Sequence, residues 1–284
     1  MERMLSLINL MRPKHYIKNL LVLVPLFFSQ QINNYNLLTV ALWGFLSFCF
    51  IASAVYIVND IKDAERDSLH PSKKYRPLAS GAISESKAFT LFFVCLTISF
   101  SIAFYIGSVQ AVIWLVQYLL INLLYSFGMK NIPIVDIVIL TFGFIIRVVF
   151  GATIVGVTIS GWLYLTVIAA SFYLGLGKRR NELQSTKDGS TRTVLKHYTY
   201  DFLDKNMYVC LALLDAFYAL WALGNSNPYV IFTVPLVIIT MMKYSLDIES
   251  ASDSDPVEVL TNDHVLMVLL LVYFISMCVI LYFV

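Results

Sequence analysis

The sequence predicts an all-α, polytopic membrane protein, and three observations support that fold class. Of its 284 residues, 59% are apolar and only 13% carry charge, about half the charge of an ordinary soluble chain. The mean hydropathy is +0.76. The apolar residues also fall in runs long enough to cross a bilayer, for which about 20 residues suffice. A water-soluble globule does not fit this composition, because so much apolar surface requires lipid as its solvent. The formal net charge of +2 gives no ground for a nucleic-acid partner.

Nine apolar stretches are expected to be transmembrane helices: 17–32, 37–58, 86–106, 109–127, 134–155, 160–177, 202–223, 228–246 and 263–283. The connections after the first, third, fifth and seventh are short and hold no Lys or Arg. Nineteen of the twenty basic residues lie near the N-terminus, in the other connections or within the few stretch residues that adjoin them, and only Arg147 lies deep inside a stretch. Basic residues stay on the cytoplasmic side, so the N-terminus and long loops are expected in the cytoplasm and the C-terminus outside, with many passes through the cell membrane. The first stretch follows Arg12, Lys14 and Lys18 and ends in Ser29-Gln30-Gln31, which is no cleavage signal, so it is expected to be retained. Cys49, Cys95, Cys210 and Cys278 lie in apolar stretches without paired spacing and read as small buried hydrophobes. His15, His70, His197 and His264 lack zinc-ligand spacing. No repeat is strong enough to argue an inverted-repeat transporter.

Chemistry concentrates where the second stretch ends, in Tyr56-Ile57-Val58-Asn59-Asp60-Ile61-Lys62-Asp63-Ala64-Glu65-Arg66-Asp67. On a continuing helix Asn59, Asp63 and Asp67 fall within an arc of about 80°, with Asp60 beside them. Such an oxygen-rich face at the lipid boundary suits Mg²⁺, which takes a few carboxylate or amide oxygens together with those of a bound phosphate. The bland reading is a solvated helix end, since Lys62 and Arg66 are interspersed. Next comes a Pro-bracketed basic loop, His70-Pro71-Ser72-Lys73-Lys74-Tyr75-Arg76-Pro77, which either neutralises phosphate oxygens or contacts lipid headgroups.

Two further sets follow. Lys130, Asp136 and Arg147 surround the fifth stretch, and the intramembrane Arg147 requires an anion, either on a substrate or on Asp215 of the seventh stretch. Lys178-Arg179-Arg180-Asn181-Glu182 ends the sixth stretch and leads into a polar loop with Lys187, Asp188 and Arg192, which reads as a substrate-contacting lid or as a solvated basic loop. The acidic stretch from Asp247 to Glu258 reads as solvated.

Asn59-Asp60-x-x-Asp63-x-x-x-Asp67 at the end of the second of nine helices, followed by Arg76-Pro77 and Gly81, resembles the intramembrane UbiA-type prenyltransferase superfamily. The resemblance covers nearly the whole chain. It implies a single transmembrane domain over 1–284, nine helices in one bundle around a central cavity open to the cytoplasm and to lipid, and Mg²⁺ holding a diphosphate. Ring-prenylating members carry a second aspartate-rich motif after helix six, whereas Lys178 to His197 here holds only Glu182 and Asp188 as acids. That departure, with Arg12-Pro13-x-x-Tyr16-x-Lys18-Asn19, Tyr125-Ser126, Gly143-Phe144-x-x-Arg147 and Gly177-Lys178-Arg179-x-x-Glu182, is similar to the branch of decaprenyl-phosphate phosphoribosyltransferases.

This branch resemblance implies Mg²⁺-dependent transfer of 5-phosphoribose from phosphoribosyl pyrophosphate to a polyprenyl phosphate of the membrane lipid, a step of cell wall biogenesis. It implies metal ligands at Asn59 and Asp63 with Asp60 and Asp67 supporting, a catalytic set of Asp63, Asn59 and Lys73, and substrate contacts from Lys18, Tyr56, Lys73, Arg76, Lys130, Arg147, Lys178 and Arg179. A homo-oligomer is compatible with it. The alternative is transfer of a prenyl group from a prenyl diphosphate to an aromatic acceptor, for which the sequence offers no evident base. A solute transporter would want charges near the midplane, where only Arg147 and Asp215 qualify.

Overall fold

The computed structural model describes residues 2–69, 73–185, 193–250 and 255–284. Its helices, in chain order, are α1 Glu2–Met11, α2 Val24–Phe28, α3 Tyr35–Ser68, α4 Glu85–Ile106, α5 Val109–Ser126, α6 Val135–Val155, α7 Gly161–Ser185, α8 Tyr200–Leu223, α9 Val234–Ser250, α10 Pro256–Asn262 and α11 His264–Tyr282. Short 3₁₀ segments connect several of them, and no strand occurs among the described residues. Among the described residues, seven helical segments are long and apolar enough to span a membrane: Tyr35–Ser68, Glu85–Ile106, Val109–Ser126, Val135–Val155, Tyr200–Leu223, Pro228–Glu249 and His264–Tyr282. These correspond to seven of the nine expected stretches. The sixth becomes α7, whose last turns carry Lys178, Arg179 and Arg180.

The first stretch departs from expectation. In place of one long helix the chain forms a 3₁₀ segment, Pro13–Val22, and then the single-turn-scale α2, each with a proline in its first turn. Proline lacks an N–H and fixes φ, so Pro13 and Pro25 start short helical pieces and prevent one continuous α-helix.

Two compact units are distinguished, Met1–Met129 with Ile146–Val157, and Lys130–Ile145 with Thr158–Val284. In the first, α3 is the spine. Its buried side includes Ala41, Gly44, Ser47, Phe48, Ala52, Val55 and Val58, and Ser47 donates to the Ser99 carbonyl of α4 at 2.8 Å. Small residues let backbones approach where lipid supplies no hydrophobic drive between helices. Gly151 shows the tightest case: a Cβ there would stand 2.0 Å from the Val22 carbonyl oxygen, so the late turns of α6 carry the 3₁₀ segment directly on their surface. One turn away, Arg147 Nε donates to Asn19 Oδ1 at 2.8 Å. Leu10 of α1 joins Ala54, Ile57, Leu78, Ile83, Ala88 and Cys95 in a buried cluster, which ties the chain start to α3 and α4.

The second unit has a core of Ile137, Tyr173, Leu176, Leu195, Tyr198, Leu203, Met207, Tyr244 and Ile248, among others. On α4 and α11, Phe93, Phe104, Leu271 and Phe274 are exposed, as lipid-facing positions should be.

Candidate active site

Helix α3 continues through the expected acidic run to Ser68, so Asn59, Asp60, Asp63 and Asp67 do sit on successive turns of one helix end. They divide by burial. Asp60 and Asp67 are almost fully buried, while Asn59 and Asp63 are half-buried. Asp63 pairs with Arg66 at 2.9 Å, an exposed contact one turn on of the kind that contributes little in water. Asn59 Oδ1 accepts from Ser126 Oγ at the end of α5 and keeps a second lone pair. Asp60 and Asp67 face arginines from elsewhere. Arg12 Nη2 donates to Asp60 Oδ1, and Arg76 Nη1 reaches both Asp67 Oδ2 at 2.5 Å and Asp60 Oδ1 at 3.3 Å.

Arg12 occupies left-handed backbone at φ 55°, ψ 57°, uncommon for a non-glycine residue. Its guanidinium lies 5.2 Å from the Tyr56 ring centroid, and the His15 ring lies 5.5 Å from the same ring. Tyr56, expected to bind substrate, is thus a platform for Arg12. Tyr16 bonds Ser53 Oγ of α3 at 2.8 Å, which fixes the segment bearing the half-buried Lys18. Sequence reasoning did not pick out Arg12 or Ser126 as site residues, although both lie within motifs already quoted.

The oxygen set fits Mg²⁺. Asn59 and Asp63 are hard donors four residues apart on one helix face, and Asp63 is tied to an exposed arginine that a divalent cation can displace. Among the described residues no three His, Cys, Asp or Glu side chains converge as a ready cage. Two protein oxygens would leave the rest of the shell to phosphate and water, the arrangement Mg²⁺ favours.

Arg147 is buried in the first unit. Besides Asn19, its Nη2 donates to Tyr118 Oη at 3.1 Å, and the Phe48 ring lies 5.0 Å away. Asp215, considered as its structural partner, has an Oδ1 without a hydrogen bond. The buried amide, phenol and aromatic faces take the role assigned to that carboxylate.

The second unit holds the remaining candidates. Arg179 has no exposed surface: its Nε pairs with Asp136 Oδ2 at 2.5 Å and its Nη1 with Glu182 Oε2 at 2.6 Å. Tyr198 donates to Asp136 Oδ1 at 2.6 Å and accepts the Ile134 N–H at 2.5 Å, which braces Ile134 at φ 70°. Burial, then the bond to Asp136, push the Tyr198 phenol up to about 12. Arg179, expected at the substrate, is therefore enclosed in protein. Arg180 pairs with Asp204 at 3.1 Å and Glu249 at 3.3 Å. Lys178 lies 3.6 Å from Asp255 and Lys243 pairs with Asp247 and Asp263, so Asp247 and Asp255 are engaged with cations and not merely solvated. Lys130 is half-buried on the 3₁₀ turn Met129–Asn131. The Lys73 side chain, His70 to Ser72, and the expected lid residues Lys187, Asp188 and Arg192 lie outside the described residues.

The chain matches the UbiA prenyltransferase family over residues 21–262. It belongs to that family. UbiA-family relatives include the decaprenyl-phosphate phosphoribosyltransferase of Mycolicibacterium smegmatis, 30% identical over 94% of this chain and 90% of that one. The enzyme of the same name from Corynebacterium glutamicum is 31% identical over 94% and 84%. A solved UbiA homolog from Archaeoglobus fulgidus, bound to GPP and Mg²⁺, shares the fold with a TM-score of 0.77 at 20% identity, over 97% of this chain and 99% of that one. This UbiA-family member is accordingly a multi-pass membrane transferase acting on prenyl-phosphate chemistry.

Proposed function

We propose that the protein transfers 5-phosphoribose from phosphoribosyl pyrophosphate to a polyprenyl phosphate, releasing pyrophosphate, in a Mg²⁺-dependent reaction. The observation that carries this reading is similarity along 94% of the chain to two enzymes named for that transfer. The lack of paired aspartates between Lys178 and His197 supports it. Asn59 and Asp63 would hold the ion, which when bound supplies positive charge to the departing pyrophosphate.

The chain's own groups do the rest. The Arg12 and Arg76 guanidiniums at the end of α3 stabilise charge that grows on the pyrophosphate as its bond to ribose C1 breaks. A lipid phosphate oxygen then forms the new bond to C1. That nucleophile is already an anion, so no side chain has to remove a proton. Lys18 and Lys73 are assigned to the phosphates in the first unit; Lys130 and Lys178 keep that role on the strength of the resemblance.

Membranes containing the protein, given labelled phosphoribosyl pyrophosphate, Mg²⁺ and polyprenyl phosphate, should form labelled lipid. A parallel assay with a prenyl diphosphate and an aromatic acid should not; activity there alone assigns the alternative reaction. The orientation we propose puts the N-terminus and the site in the cytoplasm and the C-terminus outside. A cysteine in place of Ser226 should then label only from outside, and labelling from the cytoplasm would reverse the topology.

A further inference from the structure

The four polar residues that end α3 have been treated as one oxygen-rich face, but their contacts separate them. Asp60 and Asp67 are seven residues apart, two turns, and so lie on one stripe of the helix. Asn59 and Asp63 form the neighbouring stripe. The first stripe is buried and shares two guanidiniums: Asp60 with Arg12 and Arg76, Asp67 with Arg76. Two carboxylates and two guanidiniums cancel. A buried carboxylate that leaves such a pair to ligate a metal abandons a buried cation, which is strongly unfavourable. Asp63 pairs instead with Arg66, which is exposed and can return to water when the carboxylate turns to a metal.

The guanidiniums themselves are not used up. Among the described residues Arg12 bonds Asp60 through Nη2, and Arg76 bonds its two acids through Nη1. Each retains N–H donors on Nε and the other Nη, and both side chains keep partial exposure, 21% for Arg12 and 30% for Arg76. A guanidinium fixed at one corner by a carboxylate presents its remaining fork in a set direction, the geometry that recognises phosphate oxygens in pairs. Arg12 is further fixed by the Tyr56 ring and by its left-handed backbone.

We propose that Asp60 and Asp67 are positioning residues which aim Arg12 and Arg76 at the diphosphate of the substrate, and that metal ligation by α3 is confined to Asn59 and Asp63. This rests on the reading that the site takes a diphosphate, and it is independent of whether phosphoribose or a prenyl group is attached.

The test uses purified full-length protein in detergent and two equilibrium readouts: Mn²⁺ binding by electron paramagnetic resonance without diphosphate, and calorimetric binding of inorganic pyrophosphate at saturating Mg²⁺. Asp63→Asn should weaken Mn²⁺ binding about tenfold or more, as loss of a ligating carboxylate requires. Asp67→Asn should leave Mn²⁺ binding within about twofold and weaken pyrophosphate binding about tenfold, the worth of a charge-assisted hydrogen bond. Arg76→Lys should reproduce the Asp67→Asn pattern, because one ammonium cannot hold two acids and still present a fork. Where Asp67→Asn fails to fold, the double variant Asp67→Asn with Arg76→Gln leaves no buried charge unpaired and should show the same split. If Asp60→Asn or Asp67→Asn weakens Mn²⁺ binding as much as Asp63→Asn does, these acids are ligands and the proposal fails. Failure of the phosphoribosyl reading appears separately: wild-type protein would bind pyrophosphate and geranyl diphosphate but not phosphoribosyl pyrophosphate, with the Asp67 split intact.

Discussion

At the end of α3, two of the four oxygen-bearing residues, Asp60 and Asp67, meet two arginines supplied by other segments, and those arginines remain partly open to solvent. At the end of α7 the arrangement is inverted: Arg179 and Arg180 are on the helix itself and fully buried, each enclosed by acids and a tyrosine network. Both ends look alike as strings of charged letters. They differ in what an incoming anion could do. At α3 a phosphate can add to the guanidinium donors that Asp60 and Asp67 leave unused. At α7 it would first have to break buried ion pairs that hold the turn before α6 in place. The contrast favours the α3 end as the proposed chemical site and marks the α7 end as a buried ion-pair framework within its own unit.

The variant expected to show the largest effect probes the first half of that contrast. Asp63→Asn should lower turnover by about three orders of magnitude or more, as loss of transition-state charge stabilisation does, with a much smaller change in the thermal midpoint in detergent, because its ion pair with Arg66 lies at an exposed edge where such pairs contribute little. Retained turnover in that variant removes Asp63 from the mechanism. The mirror-image experiment is Arg179→Met. It strands Asp136 without its buried cation, so stability should fall by about 3–5 kcal/mol, seen as a large drop in the thermal midpoint. A stable Arg179→Met protein with lost turnover would show that the α7 end is part of the chemistry and not framework.

A smaller effect is expected at Gly151. Even a methyl group there meets the Val22 carbonyl at 2.0 Å, so Gly151→Ala must push away the 3₁₀ segment that delivers Arg12. Overpacking of this kind costs about 1–3 kcal/mol. Because Arg12 moves with the segment, pyrophosphate affinity in calorimetry should fall along with stability. Unchanged affinity would mean that the segment and the α3 end are uncoupled.

The sequence makes much of this legible because hydropathy reports directly on lipid contact. The stretches 37–58 and 263–283 are readable as spans, and the face from Asn59 to Asp67 follows from the helical repeat alone. The stretch 17–32 departs from one long helix because hydropathy does not register hydrogen-bond pattern, and Pro13 and Pro25 change that pattern. The decisive partners were harder to reach. Arg12 and Asp60 are 48 residues apart and Asp136 and Tyr198 are 62 apart, and nothing local in a single sequence couples such positions. Charge at a helix end announces that a cation or anion is present; only the packing says whether it is already matched. This is why Arg179, which has the composition of a phosphate contact, turns out to be enclosed.

The smallest expected effect tests the framework at one atom. Tyr198→Phe removes the hydroxyl that joins the Ile134 N–H to Asp136 while leaving the Asp136–Arg179 pair intact. The fully buried Asp136 loses a hydrogen-bond donor, which costs about 1–3 kcal/mol, so the thermal midpoint should drop by a few degrees and turnover at a permissive temperature should hold. The pH dependence follows from the raised phenol, at about 12 against an ordinary 10.0. A raised folded-state value means the contribution is fully present below the unfolded value and is lost only as pH climbs through the folded one. The stability gap between wild type and Tyr198→Phe should therefore stay constant between about pH 6 and about pH 9 and close only above about pH 10. Turnover that falls in Tyr198→Phe at a temperature where the protein remains folded would extend the chemical site to the α7 end, and the contrast between the two helix ends would no longer separate site from framework.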